Sequence, residues 1–226
     1  MSMQALTLGE SFARNAVPGV VLPLPSKSGF FDRLTAALSF DRNEEIYGEG
    51  EAAEYLYAVQ SGCVRTSKIL NDGRRQIGNF YLPGDVFGFE AADEYTMSAE
   101  ALAPTVVRLI KRSVVDARVA RDTALSSQLI KLTATELQRA QSHVLLLIKS
   151  AQERVAGFLL EMASRVNAVS EIELPMSRQD IADYLGLTIE TVSRTLTQLE
   201  NSSAIGLPTA RRIVLRNRSA LVRLNR

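Results

Sequence analysis

Cysteine and histidine are nearly missing from this sequence, which has one of each, Cys63 and His143, and no tryptophan. A single cysteine closes no internal disulfide, and a structural zinc or an iron–sulfur cluster needs about four ligands drawn largely from Cys and His. Neither is expected. No run approaches the roughly 18 apolar residues of a membrane span, and residues 1–10 lack the basic patch and apolar core of a secretory signal, so a cytoplasmic protein without a membrane partner is expected. No nucleophile has a neighbouring histidine, and there is no metal-ligand cluster or phosphate loop, which argues against an enzyme. Acid is also missing, but only locally. Residues 201–226 hold six arginines (Arg211, Arg212, Arg216, Arg218, Arg223, Arg226) and no Asp or Glu. Residues 1–173 carry 18 basic and 21 acidic side chains and residues 174–226 carry 8 and 4, so a net charge of +1 hides a basic C-terminal end. That end suits an anionic partner, although charge alone fits a solvated arginine-rich tail equally well.

What is present changes texture along the chain. Residues 1–29 mix Pro18, Pro23, Pro25, Gly19 and Gly29 without periodicity and read as an irregular arm, and Phe30–Leu38 reads as a short helix. Residues 30–115 then form a β domain, with Tyr55–Gln60, Cys63–Leu70, Gln76–Leu82 and Thr105–Lys111 as its clearest strands. Asp72–Gly73 marks a hairpin, and short strands with tight turns imply an antiparallel barrel or jelly roll. Cys63, inside a strand, reads as a small buried hydrophobe. From Asp116 the pattern is helical for about fifty residues, and 116–149 reads as one long helix. Ile130, Leu137 and Val144 recur every seven residues, with Thr133, Ala140 and Leu147 at the complementary seam positions. Such a stripe can pack on its own barrel or on a second copy. A helix between a barrel and a separate basic domain leaves much apolar surface uncovered, which favours a parallel homodimer. A second amphipathic helix, Gln152–Val166, and a short strand, Glu171–Leu174, open the last domain, 150–226.

Its most informative stretch is 176–205. Ser177 with Asp180 makes an N-cap and an acidic first turn. Ile181, Ala182 and Leu185 give the helix a buried face, and Gly186 ends it. Thr188 caps the next helix, in which Val192, Leu196 and Leu199 repeat at helical spacing. Two short helices around a glycine turn form a helix-turn-helix candidate, whose second helix is the one expected to enter a major groove. On that helix Glu190, Ser193 and Arg194 stand at i, i+3 and i+4 on the face opposite Val192 and Leu196. Arginine donates twice to guanine, glutamate accepts from cytosine, and serine does either. Ser177, Arg178, Thr188, Thr191, Arg211 and Arg212 are the candidates for the DNA backbone. The last two would lie on a wing formed by Ala204–Leu207 and Arg212–Leu215, with Arg216 and Arg218 beside it.

Met176–Arg194, reading MSRQDIADYLGLTIETVSR, resembles the DNA-binding signature of the bacterial CRP/FNR superfamily of transcription regulators, most closely its FixK branch. Leu82–Gly88, LPGDVFG, is similar to the glycine-bearing segment of that family's cyclic-nucleotide-type barrel. The resemblance covers nearly the whole chain after the arm. It implies an α+β fold: an N-terminal antiparallel β jelly-roll barrel, a long dimerisation helix and a C-terminal winged helix-turn-helix. It also implies a homodimeric activator that reads double-stranded palindromic DNA with TTGA-like half-sites through Glu190, Ser193 and Arg194, and that contacts RNA polymerase. The sequence departs from the family where cyclic AMP is held: Gly88–Phe89 stands for the Gly-Glu pair and Tyr95–Thr96 for the Arg-Ser pair. A buried cyclic phosphate would lack a counter-ion. The arm also lacks the cysteines of iron–sulfur members, so no cofactor is expected and the regulator reads as effector-independent. The alternative is a regulator gated by a small molecule in the barrel. Arg74 and Arg75, past the hairpin turn, are either a candidate polymerase contact or simply the polar tip of an exposed hairpin. By analogy the branch implies low-oxygen respiration, denitrification or nitrogen fixation as the setting.

Overall fold

The computed structural model describes residues 36–225. The expected arm at 1–29 and most of the expected helix at Phe30–Leu38 lie outside them. The chain divides into two units, one running up to Thr66 and resuming at Phe80–Leu132, the other made of Ser67–Asn79 with Thr133–Arg226.

Among the described residues eight strands form two four-stranded sheets, ordered β1-β8-β3-β6 and β2-β7-β4-β5. They are β1 (Ala36–Phe40), β2 (Glu45–Tyr47), β3 (Tyr55–Ser61), β4 (Val64–Ile69), β5 (Arg75–Tyr81), β6 (Val86–Phe87), β7 (Ser98–Ala101) and β8 (Thr105–Lys111). The four strands expected from alternation are present. The helix expected up to Leu38 is corrected, because Ala36–Phe40 is a strand running antiparallel to β8 from Ala36↔Leu109 to Phe40↔Thr105. Phe30, Leu34 and Leu38 mimic helical spacing, and pairing with β8 overrides that local pattern. The turn at Gly62 has φ +84°, and a Cβ there would sit 2.3 Å from Thr105 Oγ1 and 2.6 Å from the Pro104 carbonyl oxygen. Only glycine lets β3 turn into β4 this close to β8. Cys63 beside it is fully buried, as expected of a small apolar residue.

Alternation along β3 sends Tyr57 and Val59 inward, while Leu56 and Ala58 face the other way. The inner cluster is aromatic. Tyr47 stacks on Tyr95 with centroids 3.7 Å apart, and Phe87 lies 5.1 Å from Tyr57 and 5.0 Å from Tyr81. The Tyr95 hydroxyl donates to the Tyr55 carbonyl at 2.8 Å. Burial holds the Tyr47, Tyr57 and Tyr95 phenols above their ordinary pKa, so these rings fill the barrel as neutral groups.

The long helix is broken. α1 (Arg112–Val119) and α2 (Thr123–Leu147) are separated at Asp122, whose carboxylate accepts the amides of Ala124 and Leu125 at 2.9 and 3.1 Å. The expectation of uninterrupted helix from Asp116 missed this N-cap. Leu125, Leu129 and Leu132 of α2, one helical stripe, pack on Leu56, Ala58, Val86 and Ile110. On another face Ile130, Leu137, Val144 and Ile148 are between 59% and 80% exposed. Thr133 and Ala140 are exposed with them. Leu147, the last residue of α2, is half-buried, and its Cδ2 would lie 3.7 Å from a Cβ at Gly186. Ile148, just past the helix, is exposed.

In the second unit α3 (Ala151–Arg165) begins with a reciprocal cap, Ser150 with Glu153, and buries Val155, Phe158, Leu159 and Met162. β9 (Glu171–Glu173), α4 (Arg178–Leu185), α5 (Ile189–Asn201), β10 (Arg212–Val214) and α6 (Arg218–Leu224) follow. The wing differs from the expected pairing. β10 pairs antiparallel with β9, and 204–207 contributes a single bridge, Gly206↔Val214. The β9 strand, already formed upstream, supplies a full edge that the segment before Pro208 does not.

Candidate nucleic-acid interface

Local capping builds the two-helix motif. Ser177 Oγ accepts the Asp180 amide at 3.1 Å, and Asp180 Oδ2 takes hydrogen bonds from the Ser177 amide at 2.9 Å and its hydroxyl at 2.7 Å. α4 ends at Gly186 in the left-handed region, φ 60° and ψ 40°, and the Leu187 amide returns to the Ala182 carbonyl at 3.0 Å. α5 then starts at Thr188, whose Oγ1 accepts the Thr191 amide at 3.2 Å. Ile181 and Leu185 of α4 and Val192, Leu196 and Leu199 of α5 are buried, so the two helices share one core.

That burial decides which face of α5 is left for a partner. Glu190 and Arg194 are exposed and Ser193 is half-exposed, all away from Val192 and Leu196. The Glu190 carboxyl titrates below its usual range because its own backbone N–H, the Thr188 hydroxyl and the nearby Arg194 charge favour the anion. The face therefore presents an anion and a cation together.

The backbone candidates are less uniform. Thr188 is exposed and Thr191 half-exposed at the start of α5, with their hydroxyls 3.1 Å apart. The Ser177 hydroxyl donates to Asp180 Oδ2 at 2.7 Å, so a phosphate would have to compete with that acid for its hydrogen bond. Arg178 is half-buried, and its Nε is enclosed with no hydrogen-bond partner among the described residues. Arg211 is half-buried and Arg212 exposed on the wing. Arg212 forks onto Glu171, with Nη2 3.0 Å from Oε2 and Nε on Oε1, so an acid offsets its charge.

Residues that the pattern of the motif does not reveal hold its first helix from outside. The carbonyls ending α4 receive donors from other elements: His143 Nε2 bonds the Tyr184 oxygen at 2.7 Å, and Arg154 Nη1 the Leu185 oxygen at 2.8 Å. His143 also stacks on the Tyr184 ring at 4.0 Å, and burial pushes its pKa below the ordinary value. From 67–79, Arg75 reaches Asp180 and Asp183.

Comparison with known proteins agrees with this architecture. Residues 37–122 match the cyclic nucleotide-binding domain family, and residues 153–224 match the Crp-like helix-turn-helix domain family. The nitrogen fixation regulation protein FixK of Azorhizobium caulinodans is 55% identical over 192 residues, covering 82% of this chain and 77% of that protein. The chain belongs to the CRP/FNR family. Within it, it is a FixK-type transcription regulator with a helix-turn-helix DNA-binding domain. The structure of FixK2 from Bradyrhizobium japonicum is similar to this regulator with a TM-score of 0.82 and 51% identity, covering 85% of this chain and 98% of that one. The fumarate and nitrate reduction regulatory protein of Vibrio cholerae is 33% identical, covering 81% of this chain and 76% of that protein. The relatives of this FixK-type regulator are transcription regulators, not enzymes. Among its described residues no helix is long and apolar enough to cross a membrane.

Proposed function

We propose that this FixK-type regulator is a cytoplasmic homodimer that activates transcription from a palindrome with TTGA-like half-sites, contacts RNA polymerase once bound, and needs no small effector. The observation that carries the proposal is the solvent-facing group of Glu190, Ser193 and Arg194 on α5, backed by the buried Val192 and Leu196. An ionised Glu190 accepts from cytosine N4, and Arg194 forks onto guanine O6 and N7. Two such helices about one turn of duplex apart would read both half-sites. The exposed stripe Ile130–Leu137–Val144–Ile148 supports pairing through the helix assigned to 116–149.

Effector independence is supported by what fills the barrel. The positions that hold the cyclic phosphate in cyclic-AMP-binding members are Phe89 and Tyr95–Thr96 here. Tyr95 stacks on Tyr47 inside the core, and Thr96 gives both its amide and its hydroxyl to Glu90 at 3.0 Å. These residues do not fit a cyclic nucleotide: at the positions that hold the phosphate, Tyr95 is stacked into the core and Thr96 is bonded to an acid, with no arginine between them. Relatives named for nitrogen fixation regulation and for fumarate and nitrate reduction support a setting of low-oxygen respiration or nitrogen fixation.

The test is selection of bound sequences from a random duplex pool with purified protein and no added ligand. The expected result is enrichment of a twofold-symmetric site with TTGA-like arms. Enrichment of a single unpaired arm, or of a palindrome only after a cyclic nucleotide is added, would contradict the proposal.

A further inference from the structure

Beside the reading helix, the second unit holds a cation between two acids of the helix-turn-helix. Arg75, the first residue of β5, lies in the segment 67–79 that groups with that unit. Its Nη2 is 2.8 Å from Asp180 Oδ1 and 2.7 Å from Asp183 Oδ2, and its Nε donates to Asp183 Oδ2 at 2.7 Å. The next residue, Gln76, donates from Nε2 to the Ile77 carbonyl at 3.0 Å and to the Tyr184 carbonyl at 3.4 Å.

The two acids belong to the machinery of α4. The Asp180 side chain is 5% exposed, and its other oxygen forms the Ser177 cap. Asp183 also accepts from Gln179 Nε2 at 2.6 Å. Three residues apart on one helix, they repel unless a cation lies between them. A planar guanidinium spans both carboxylates, whereas an ammonium would meet them as a point charge. Removing the cation would leave carboxylate charge in a site largely closed to water, a costly arrangement that α4 would shift to relieve.

We infer that Arg75 is a positioning residue for DNA reading: through Asp180 and Asp183 it fixes α4 and, across the Gly186 turn, the pitch of α5. α4 and α5 pack against each other, so a tilt of one carries the other. Base readers have to be held within about 0.5 Å of their productive geometry. The inference rests on the DNA-reading role proposed above. It also reassigns Arg75 from candidate polymerase contact to internal support. Arg74, at the exposed tip, pairs with Asp72 instead.

The experiment is a set of anisotropy titrations on full-length protein with a palindromic and a scrambled duplex at several salt concentrations. Arg75→Ala is expected to weaken palindrome binding roughly tenfold, as for coupled residues of one network. Scrambled-duplex affinity and its salt slope are expected to stay as in the wild type, because no phosphate contact is removed. Arg75→Lys is expected to give an intermediate loss, and the reciprocal pair Arg75→Asp with Asp183→Arg to recover part of the Arg75→Ala loss. Wild-type binding by Arg75→Ala overturns the inference, and makes Arg75 a polymerase contact if transcription still falls. Equal losses on both duplexes with a salt slope reduced by about one also overturn it, and make Arg75 a phosphate contact. Should Arg75→Ala fail to fold by circular dichroism, an Arg75→Lys protein indistinguishable from wild type overturns it. A wild-type protein with no preference for the palindrome sinks the DNA-reading proposal, and this inference with it. A retained preference with a silent Arg75→Ala sinks only this inference.

Discussion

The arginines of the helix-turn-helix and wing divide into those free to meet DNA and those engaged by the protein, and the division predicts different losses. Arg194→Ala should lose roughly 1–3 kcal/mol at one guanine position and little elsewhere, because it removes the proposed bidentate base contact. Arg211→Ala should weaken matched and scrambled duplexes alike and lower the salt slope by about one. Arg212→Ala should change that slope less, since Glu171 already offsets its charge. Binding isotherms at three or four salt concentrations separate the three, and equal losses on matched and scrambled duplexes for Arg194→Ala would remove it from base reading. Glu190 has its own signature. Its carboxyl is depressed first by its own backbone N–H, then by Thr188 and Arg194, so its NMR titration midpoint should lie below 4.5. Thr188→Val should raise that midpoint further than Arg194→Ala. Glu190, Ser193 and Arg194 were legible in the sequence because helical geometry alone sets i, i+3 and i+4 on one face. The engagement of Arg212 by Glu171 was not, because forty-one residues separate partners that meet only when β9 and β10 pair.

At the scale of elements, the sequence announces helices and strands that satisfy their own ends, and conceals those completed by something remote. The Ser177 and Thr188 caps and the Gly186 stop are local, and each stands where the sequence reading puts it. β2 and β6, three and two residues long, carry too little alternation to be read, and β1 takes its form from β8. The C-terminal end of α4 is another remote case, since His143 from α2 and Arg154 from α3 take its carbonyls. This makes stability depend on pH. Burial depresses the folded-state pKa of His143 below 6.5, so the unfolded chain binds the extra proton first. The contribution is complete above pH 6.5 and declines as pH falls through the interval down to the depressed folded value. His143→Gln keeps a donor for Tyr184 and does not titrate. Urea melts between pH 7.5 and 5 should show a shallower loss of stability on acidification for the variant than for the wild type. Parallel curves would show that His143 does not carry that dependence. Gly186→Ala should cost about 1–2 kcal/mol in the same assay, because an alanine is strained at φ 60°.

At the scale of the whole molecule, seven-residue spacing alone left open whether α2 covers its own barrel or a second copy, and the structure supports a division by face. Leu125, Leu129 and Leu132 cover the chain's own sheet, while Ile130, Leu137, Val144 and Ile148 remain in water. Fully burying a large aliphatic side chain is worth about 1.5–3 kcal/mol, and the four side chains would be duplicated across a twofold axis. Association entropy takes back part of that gain. Leu137→Glu sets two like charges against each other at the middle of this stripe. Sedimentation should then show a 24.8 kDa monomer where the wild type runs at about twice that mass. Binding to a palindrome should fall by a factor on the order of 10²–10⁴, since the second arm is no longer held at high effective concentration. Binding to a single half-site should not change. The neighbouring pair fixes the register of the seam. Ile148→Ala should weaken the dimer and leave thermal stability of the monomeric Leu137→Glu background untouched. Leu147→Ala, half-buried beside Gly186, should lower that stability and spare association. The reverse pattern would place the seam at Leu147 instead.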